Sequence, residues 1–230
     1  MRPWLGVGRT LEQLNKAADK RGLRTESNQP VRFVPPAGID RHYEVSVHET
    51  GRVATRPESL HDWFNALAWL AFPRTKARIN AMHAAEIPRE QEKCGGRRGR
   101  LRDLLTIFDE GGALVACDDA GLIALLRGFR WKELFWEQRS RVRASMRCLV
   151  LGHAVLEQAL APRPGITCKV VLVDPRTDAD AQGADWLASL PAGATPRDLA
   201  PLPVFGYPGW LPENSRADFY DDTGVFRPPG

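Results

Sequence analysis

Long apolar runs, paired cysteines and the common nucleotide and zinc motifs are all missing from this chain of 230 residues. A membrane-spanning helix needs about 20 consecutive apolar residues, and every apolar run here is much shorter. The four cysteines form no C-x-x-C pair, which excludes a zinc finger or a thioredoxin-like motif. Without G-x-x-x-x-G-K-S/T or H-E-x-x-H, a P-loop and a zinc peptidase are not supported either. The N-terminus has no cleavable apolar segment, so we expect a cytoplasmic protein with no membrane partner.

A strong charge of one sign is also absent, since the net charge is only +4 and the isoelectric point about 9.0. A dedicated nucleic-acid coat is usually much more basic. Basic residues nevertheless concentrate at 89–102 and 127–147, and Phe129, Trp131 and Trp136 lie within the second segment. These aromatic residues follow the spacing of a helix core, and the sequence has no recognition-helix, RNP or zinc-knuckle pattern. Nucleic acid is therefore an alternative partner and not the favoured one.

The chain does contain enough apolar material for a folded core, with 43% hydrophobic residues and seven tryptophans. Helical and strand-like patterns alternate irregularly along it, which is typical of α+β proteins. We therefore predict a single domain over residues 1–230, with helices packed on a small mixed sheet, β-hairpins and an ordered extended C-terminal segment. The sequence does not determine the oligomeric state.

The strongest helical pattern lies at residues 59–83. Ser59 is a good N-cap, because its hydroxyl can accept a hydrogen bond from a free amide of the first turn. Phe72-Pro73 should end this helix, since proline lacks an amide hydrogen and disfavours a helical residue before it. Pro73 then suits the first turn of a second helix, which we expect to run to about Ala85.

Strands are predicted in several places along the chain. VRFVPP at 31–36 has the composition of a short strand ended by prolines. Alternating apolar and polar residues over 43–55, interrupted by the turn ETG, predict a hairpin. Two apolar runs at 104–117, joined by DEGG, predict a second hairpin. Residues 146–173 are expected to form a strand–helix–strand unit that places two parallel strands in one sheet.

Two segments are expected to be mostly irregular. Residues 87–100 are rich in arginine, lysine and glycine and are predicted to form an exposed basic loop. This loop either contacts a phosphate or a nucleic acid or is simply solvated. Residues 175–200, rich in proline, alanine and aspartate, are predicted to form a connection with one or two helical turns near 185–190.

Histidines with nearby carboxylates are the first candidates for chemistry. His61 and Asn65 are four residues apart and share one face of their helix, with Asp62 beside them. His153 and Glu157 share a face of another helix that directly follows a strand, a common place for sites in mixed folds. A histidine beside a carboxylate can act in acid–base catalysis or bind a metal. The structural alternatives are helix capping for the first group and an intrahelical hydrogen bond for the second.

A metal site is one form that this chemistry could take. Asp221 and Asp222 could supply carboxylates to a divalent metal together with His153 and Glu157. Their alternative role is to lead the turn DDTG. The cofactor is otherwise unknown, because a divalent metal is compatible with these residue types but no motif identifies one.

The helix after Pro73 carries a polar stripe of Lys76, Asn80 and His83. Residues at this spacing lie on one helical face. Either these side chains converge on a pocket, or they form a solvated face.

Several ordered sequence blocks resemble a known bacterial family, domain of unknown function 3025 (DUF3025). The blocks are HDWFNALAWLAFPRTKARINAMH, RDLLTIFDEGGALVA, GHAVLEQAL, PLPVFGYPGW and FYDDTGVFRP. The resemblance runs from about residue 11 to 228, and it implies a single cytoplasmic domain in proteobacteria. It implies no activity. The polar positions within its blocks are His61, Asp62, Asn65, Arg74, Lys76, Arg102, Asp103, Asp109, Glu110, His153, Glu157, Asn214, Tyr220, Asp221, Asp222 and Arg227.

The favoured hypothesis is an enzyme that acts on a small anionic substrate such as a phosphate ester. The reaction class considered is hydrolysis assisted by a metal ion. Its candidate catalytic residues are His61, Asp62, Asn65, His153 and Glu157. Its candidate substrate-binding residues are Arg74, Lys76, Arg102, Asn214, Tyr220 and Arg227. The alternatives are a nucleic-acid-binding protein that uses the basic segments, and a non-enzymatic interaction protein whose polar residues form a buried network.

Overall fold

A computed structural model describes residues 10–36, 42–94 and 98–228, with side chains for all of these except 93 and 94. Helices make up 56% and strands 13%, and the strands form small sheets in a single compact domain, which confirms the α+β fold class. Within the described ranges, every helix is too short or too polar to cross a bilayer.

The N-terminal part combines two helices with a small parallel sheet. Helix α1 (Leu11–Arg21) starts with a capping box at Thr10 and ends at a left-handed Gly22. Strands β1 (Arg32–Val34) and β2 (Arg52–Ala54) pair in parallel. Between them lies helix α2 (Tyr43–Thr50).

The hairpin predicted for 43–55 is therefore wrong, because α2 occupies the segment that was expected to be its first strand. Tyr43 and Val47 alternate as in a strand, but they are also four residues apart, as on a helical face. Gly51 adopts a φ of 71° and donates its amide to the carbonyl of Val47, so it is a helix C-cap and not a hairpin turn.

Helices α3 (Leu60–Ala71) and α4 (Pro73–Cys94) follow, as the pattern at 59–83 predicts. The Ser59 hydroxyl accepts a hydrogen bond from the Asp62 amide. Helix α4 runs beyond the predicted end and passes through Pro88, so the first half of the predicted basic loop 87–100 is helical. Ile87 and Glu90 are buried on its last turns, which offsets the cost of a proline in a helix. Residues 95–97 of that segment lie outside the described residues.

The second predicted hairpin, at 104–117, is also wrong. Helix α5 (Arg100–Gly111) covers its first strand and its turn, and only β3 (Gly112–Ala116) is a strand. The apolar run was ambiguous in the sequence, but Leu104, Leu105 and Phe108 are buried together on one helical face.

A four-stranded mixed sheet forms the centre of the rest of the molecule. It contains β3, β4 (Arg147–Val150), β5 (Thr167–Val173) and β6 (Ala200–Pro203), in the order β4-β3-β5-β6. Strand β3 pairs in parallel with β5 and antiparallel with β4, and β5 pairs antiparallel with β6. The α-helices that follow β3 are α6 (Ala120–Arg127), α7 (Arg139–Ser145), α8 (His153–Gln158) and α9 (Ala179–Ala188).

The strand–helix–strand unit at 146–173 exists, but its two strands are neither neighbours nor parallel, because β3 lies between β4 and β5. The predicted connection 175–200 contains all of α9, which is longer than the one or two turns expected near 185–190.

The C-terminal segment is ordered, as predicted, but much of it consists of short 3₁₀ helices instead of extended chain. Asn214 is fully buried, and its amide donates to the carbonyls of Phe205 and Tyr207 at 2.8 Å. The Tyr220 hydroxyl donates towards the carbonyls of Gly206 and Asn214 at 3.0 and 3.1 Å. These side chains hold the segment against the core.

Candidate functional site

A polar cleft of about 380 Å³ lies among helices α2, α3, α4 and α5 and the start of α8. Five of the residues predicted as functional line it. They are His61, Asp62, Asn65, Lys76 and His153. The cleft also contains Asn80 and His83, so the polar stripe of α4 faces a pocket and is not a solvated face.

Two histidines from different helices meet in this cleft. The Nε2 atoms of His61 on α3 and His153 on α8 are 3.1 Å apart, and their rings are nearly edge-on. The Nδ1 atom of His61 lies 3.2 Å from a carboxylate oxygen of Glu157. His61 and Glu157 are each about two-fifths exposed, whereas the side chain of His153 is 6% exposed.

The partners of the two rings determine where the protons lie. The Nδ1 atom of His153 is 2.8 Å from the backbone carbonyl of Asp109, which can only accept, so this nitrogen carries the proton. Burial lowers the pKa of His153 to about 4, so its ring is neutral and its Nε2 is an acceptor. His61 must then donate through Nε2. Because Glu157 also accepts from His61, the hydrogen bonds are satisfied together when His61 carries both protons.

Lys76 is the buried cation of the site, with a side chain only 3% exposed. Its ammonium donates to the Asn65 side-chain oxygen at 2.7 Å and to the Asp109 carboxylate. It also lies 5.8 Å from the centre of the Trp69 ring, within reach of a cation–π interaction. Burial would raise the pKa of Asp109, but the charge and the hydrogen bond of Lys76 outweigh it, so the pKa is lowered and Asp109 stays ionised.

Tyr43 extends this chain of contacts across the cleft. The Asn65 amide donates to its hydroxyl at 3.4 Å. The residue as a whole is 37% exposed, but burial raises the pKa of Tyr43 above its usual range, so the hydroxyl keeps its proton. A continuous polar network therefore runs from Glu157 through both histidines, Asp109, Lys76 and Asn65 to Tyr43.

Asp62 also lines the cleft, but its carboxylate is already engaged. Arg56 binds it through two guanidinium nitrogens, at 2.8 and 3.0 Å, and through its backbone amide at 2.9 Å. Burial would raise the pKa of Asp62, and these hydrogen bonds from Arg56 outweigh that effect, so the pKa is lowered. Asp62 therefore fixes the chain before α3 and is a poor candidate for proton transfer.

Arg102, which the sequence assigned to substrate binding, lies beside the cleft residue His83 and is not itself part of the lining. Its guanidinium is 2.9 Å from Glu90 and 3.9 Å from Glu44, and its Nε donates to Nδ1 of His83 at 3.4 Å. Arg102 thus lies behind the cleft and supports His83. The amide nitrogen of Asn80 donates to the Glu44 carbonyl at 2.8 Å, and its buried oxygen has no partner among the described residues.

The other predicted substrate-binding residues lie outside the cleft. Arg74 is exposed and lies 3.7 Å from Asp178. Asn214 and Tyr220 stabilise the C-terminal segment. Arg227 donates to the Gly224 carbonyl, and its own carbonyl accepts from the Trp131 indole at 2.8 Å.

The predicted metal ligands are not brought together. Asp221 pairs with Lys132 at 2.6 Å, and Asp222 accepts from the Gly224 amide at 2.9 Å, as expected for the structural alternative of an Asp-led turn. Across residues 10–36, 42–94 and 98–228, no three His, Cys, Asp or Glu side chains are grouped as metal ligands. The four predicted ligands therefore form no metal centre here.

Residues 31–229 match the family described as Protein of unknown function (DUF3025). The chain belongs to the DUF3025 family. No curated protein and no solved structure matches it. Membership confirms the resemblance of the sequence blocks, and the chemistry of this DUF3025 protein has to be inferred from its own cleft.

The second basic segment of the DUF3025 chain gives little support to nucleic-acid binding. Trp131 is buried, and Phe129 and Trp136 pack against the core. These rings are therefore not free to stack on bases. Several cations nearby are already paired with carboxylates, as in Arg141–Asp119 and Arg130–Glu133.

Sequence reasoning missed the roles of Tyr43, Asp109 and Glu90. Tyr43 and Asp109 were placed in incorrectly predicted hairpins, and Glu90 in a predicted loop, so none was expected to contribute to a cleft. The one available signal was the position of Asp109 within a family sequence block, which carried no role.

Proposed function

We propose that this DUF3025 protein is an enzyme that hydrolyses a small anionic substrate by general acid–base catalysis in the His61/His153 cleft. The observation that carries this proposal is the pair of Nε2 atoms 3.1 Å apart, contributed by helices from distant parts of the chain. One ring is buried and neutral, and the other is half-exposed and held by a carboxylate. Adjacent groups in opposite protonation states suit proton transfer near neutral pH.

The two histidines can complete a balanced hydrolytic cycle. When substrate binds, the Nε2–H of His61 turns from His153 to the leaving group, which frees the one lone pair on His153 Nε2. His153 then accepts a proton from water at Nε2 while the water oxygen bonds to the acyl or phosphoryl centre of the substrate. The bond to the leaving group breaks, and the leaving group takes a proton from His61. The proton on His153 then passes to His61 across the contact between the two Nε2 atoms. Both rings return to their starting states.

Glu157, Asp109 and Lys76 are positioning residues in this proposal. Glu157 orients the His61 ring by accepting from Nδ1. The Asp109 backbone carbonyl fixes the tautomer of His153, and its carboxylate is anchored by Lys76. The described residues provide no group of three metal ligands, and the cycle routes no step through a metal.

The preference for an anionic substrate rests on Arg98. This residue lines the cleft and is exposed, and it has no acidic partner in the part of the chain that the structure describes. The other cations of the cleft, Arg56 and Lys76, are already paired with Asp62 and Asp109. Arg98 therefore has the free charge that an anionic group requires.

The test is a panel of chromogenic carboxylic and phosphate esters, assayed with wild type, His61→Gln and His153→Gln. His42→Gln is the matched control, because His42 is exposed and contacts Gln91 outside the cleft. We expect each cleft variant to lower kcat/KM by about 100-fold or more, and the control to leave it unchanged. Folded cleft variants with wild-type rates, or a wild type that hydrolyses no ester of either class, would contradict the proposal.

A further inference from the structure

His83 is a buried residue in the wall of the cleft. It is 5% exposed, and its Nδ1 faces the Nε of Arg102 at 3.4 Å. Arg102 is held by Glu90 at 2.9 Å, and Glu90 also accepts from the Gly99 amide at 2.7 Å. Because a guanidinium can only donate, Nδ1 of His83 must present a lone pair.

The same surroundings keep the His83 ring neutral. Burial lowers the pKa of His83, Glu44 and Asp109 oppose this change, and Arg102 and Arg98 add to it. A neutral ring that accepts at Nδ1 carries its proton on Nε2. The Nε2 atom of His83 has no hydrogen-bond partner among the residues described, and it is not fully enclosed by protein atoms. Because His83 lines the cleft, we infer that this N–H is open to the cleft.

The cleft thus holds two neutral histidines in opposite tautomers. His153 has its proton on Nδ1 and presents a lone pair at Nε2, whereas His83 presents an N–H at Nε2. A lone pair suits a base. An N–H suits an oxygen that carries negative charge.

We propose that the His83 Nε2–H and the Arg98 guanidinium together bind an oxyanion of the substrate, either a carboxylate or a phosphate. This inference rests on the proposed function. It identifies the part of the substrate that is held while His61 and His153 act. Arg98 supplies a permanent charge, and His83 supplies a directed neutral donor.

The charges around this subsite are compatible with the binding of an anion. Three of the four carboxylates that line the cleft face cations, namely Asp62 with Arg56, Asp109 with Lys76 and Glu44 with Arg102. The fourth is Glu110, which is exposed. We therefore expect Glu110→Gln to strengthen anion binding, because it removes the one carboxylate that lacks a close cation in the described cleft.

The test is long-range ¹H–¹⁵N NMR of histidine-labelled protein near neutral pH in phosphate-free buffer. Resonances are assigned with His83→Gln and His153→Gln. We expect the Nε2–H tautomer for His83 and the Nδ1–H tautomer for His153. Inorganic phosphate and acetate are then titrated separately, and a saturable shift of the His83 Nε2 resonance with either ion indicates the subsite and which oxyanion it prefers.

Arg98→Ala should weaken the binding of that ion by about tenfold or more, which is the loss of one charge-assisted hydrogen bond. His42→Gln should not change it. An Nδ1–H tautomer for His83, no saturable shift with either ion, or unchanged affinity in Arg98→Ala would overturn the subsite. Ester hydrolysis that depends on His61 and His153, found without any anion binding, refutes the subsite alone. Anion binding without such hydrolysis refutes the proposed function alone.

Discussion

At the scale of single residues, the ion pair of buried Lys76 and partly buried Asp109 stabilises the cleft. Lys76 is almost fully enclosed and makes its hydrogen bonds only to Asn65 and Asp109 in the described chain. A buried charge without its partner is costly, because neither water nor a counter-ion solvates it. The pair was not predictable from sequence, since its members are 33 positions apart and one was assigned to a turn.

Breaking this pair should destabilise the fold. We expect Lys76→Met to lower the free energy of unfolding by about 3 kcal/mol, since the largely enclosed Asp109 carboxylate would lose its cation. Urea denaturation measures this change. Arg74→Met on the same helix is the control, because Arg74 is exposed, and it should change stability by less than about 0.5 kcal/mol. Equal effects of the two substitutions would show that the Lys76–Asp109 pair does not anchor the cleft.

His153 should make stability depend on pH in a defined window. Its pKa falls from 6.5 to about 4 on folding, so between these values the unfolded chain binds a proton that the folded chain does not. The stabilisation is present above pH 6.5 and is lost as the pH falls towards 4. With each pKa unit worth about 1.4 kcal/mol, the full effect is about 3 kcal/mol.

Unfolding free energies of wild type and His153→Gln across this window provide the measurement. We expect the difference between the two proteins to shrink steadily as the solution becomes more acidic. Asp109 affects the free energy of unfolding in a separate pH range. Because folding lowers its pKa, the stabilisation from its ionised form is lost only below the ordinary carboxyl pKa of 3.8. A difference between the proteins that does not vary with pH would contradict a neutral, buried His153.

At the scale of elements, the start of α8 is packed against the junction of α5 and β3. A side-chain carbon on Gly152 would lie 2.6 Å from the Gly112 amide nitrogen and 2.7 Å from the Glu110 carbonyl oxygen. Backbone atoms cannot move away as a flexible side chain can. This close approach places His153, the first residue of α8, beside Asp109.

Gly152→Ala should therefore displace α8. We expect a loss of stability of about 1–3 kcal/mol, as for other overpacked sites, together with a fall in hydrolysis because His153 moves away from His61. Gly165→Ala is the matched control, since no atom lies within 4 Å of the added carbon. Thermal unfolding and ester assays of both variants test this prediction. A Gly152→Ala protein that matches the control in both would show that α8 does not need this close packing.

Local signals predicted the elements with clear start and stop residues. Ser59 and Phe72 bound α3, as capping and proline chemistry predict. Short apolar segments without such signals were misassigned. Residues 104–108 fit a strand or a helix equally well, and packing of α5 on the sheet decides for a helix.

At the scale of the whole molecule, the candidate site is a product of tertiary structure. His61 and His153 are 92 positions apart, and His61 and Glu157 are 96 apart. The sequence identified these residues as candidates from their types and helical spacing. It could not show that they share a cleft while Arg74, Asn214 and Tyr220 do not, because that depends on how α3, α4, α5 and α8 pack together.

The central claim is that His61 and His153 act as one catalytic unit, and a double-mutant cycle of ester hydrolysis tests it most directly. Groups that act as a unit are strongly non-additive, so removing both costs little more than removing one. We predict that His61→Gln/His153→Gln lowers kcat/KM by no more than about threefold beyond the more damaging single variant. Losses that multiply, or single variants that hydrolyse the ester at the wild-type rate, would contradict the account.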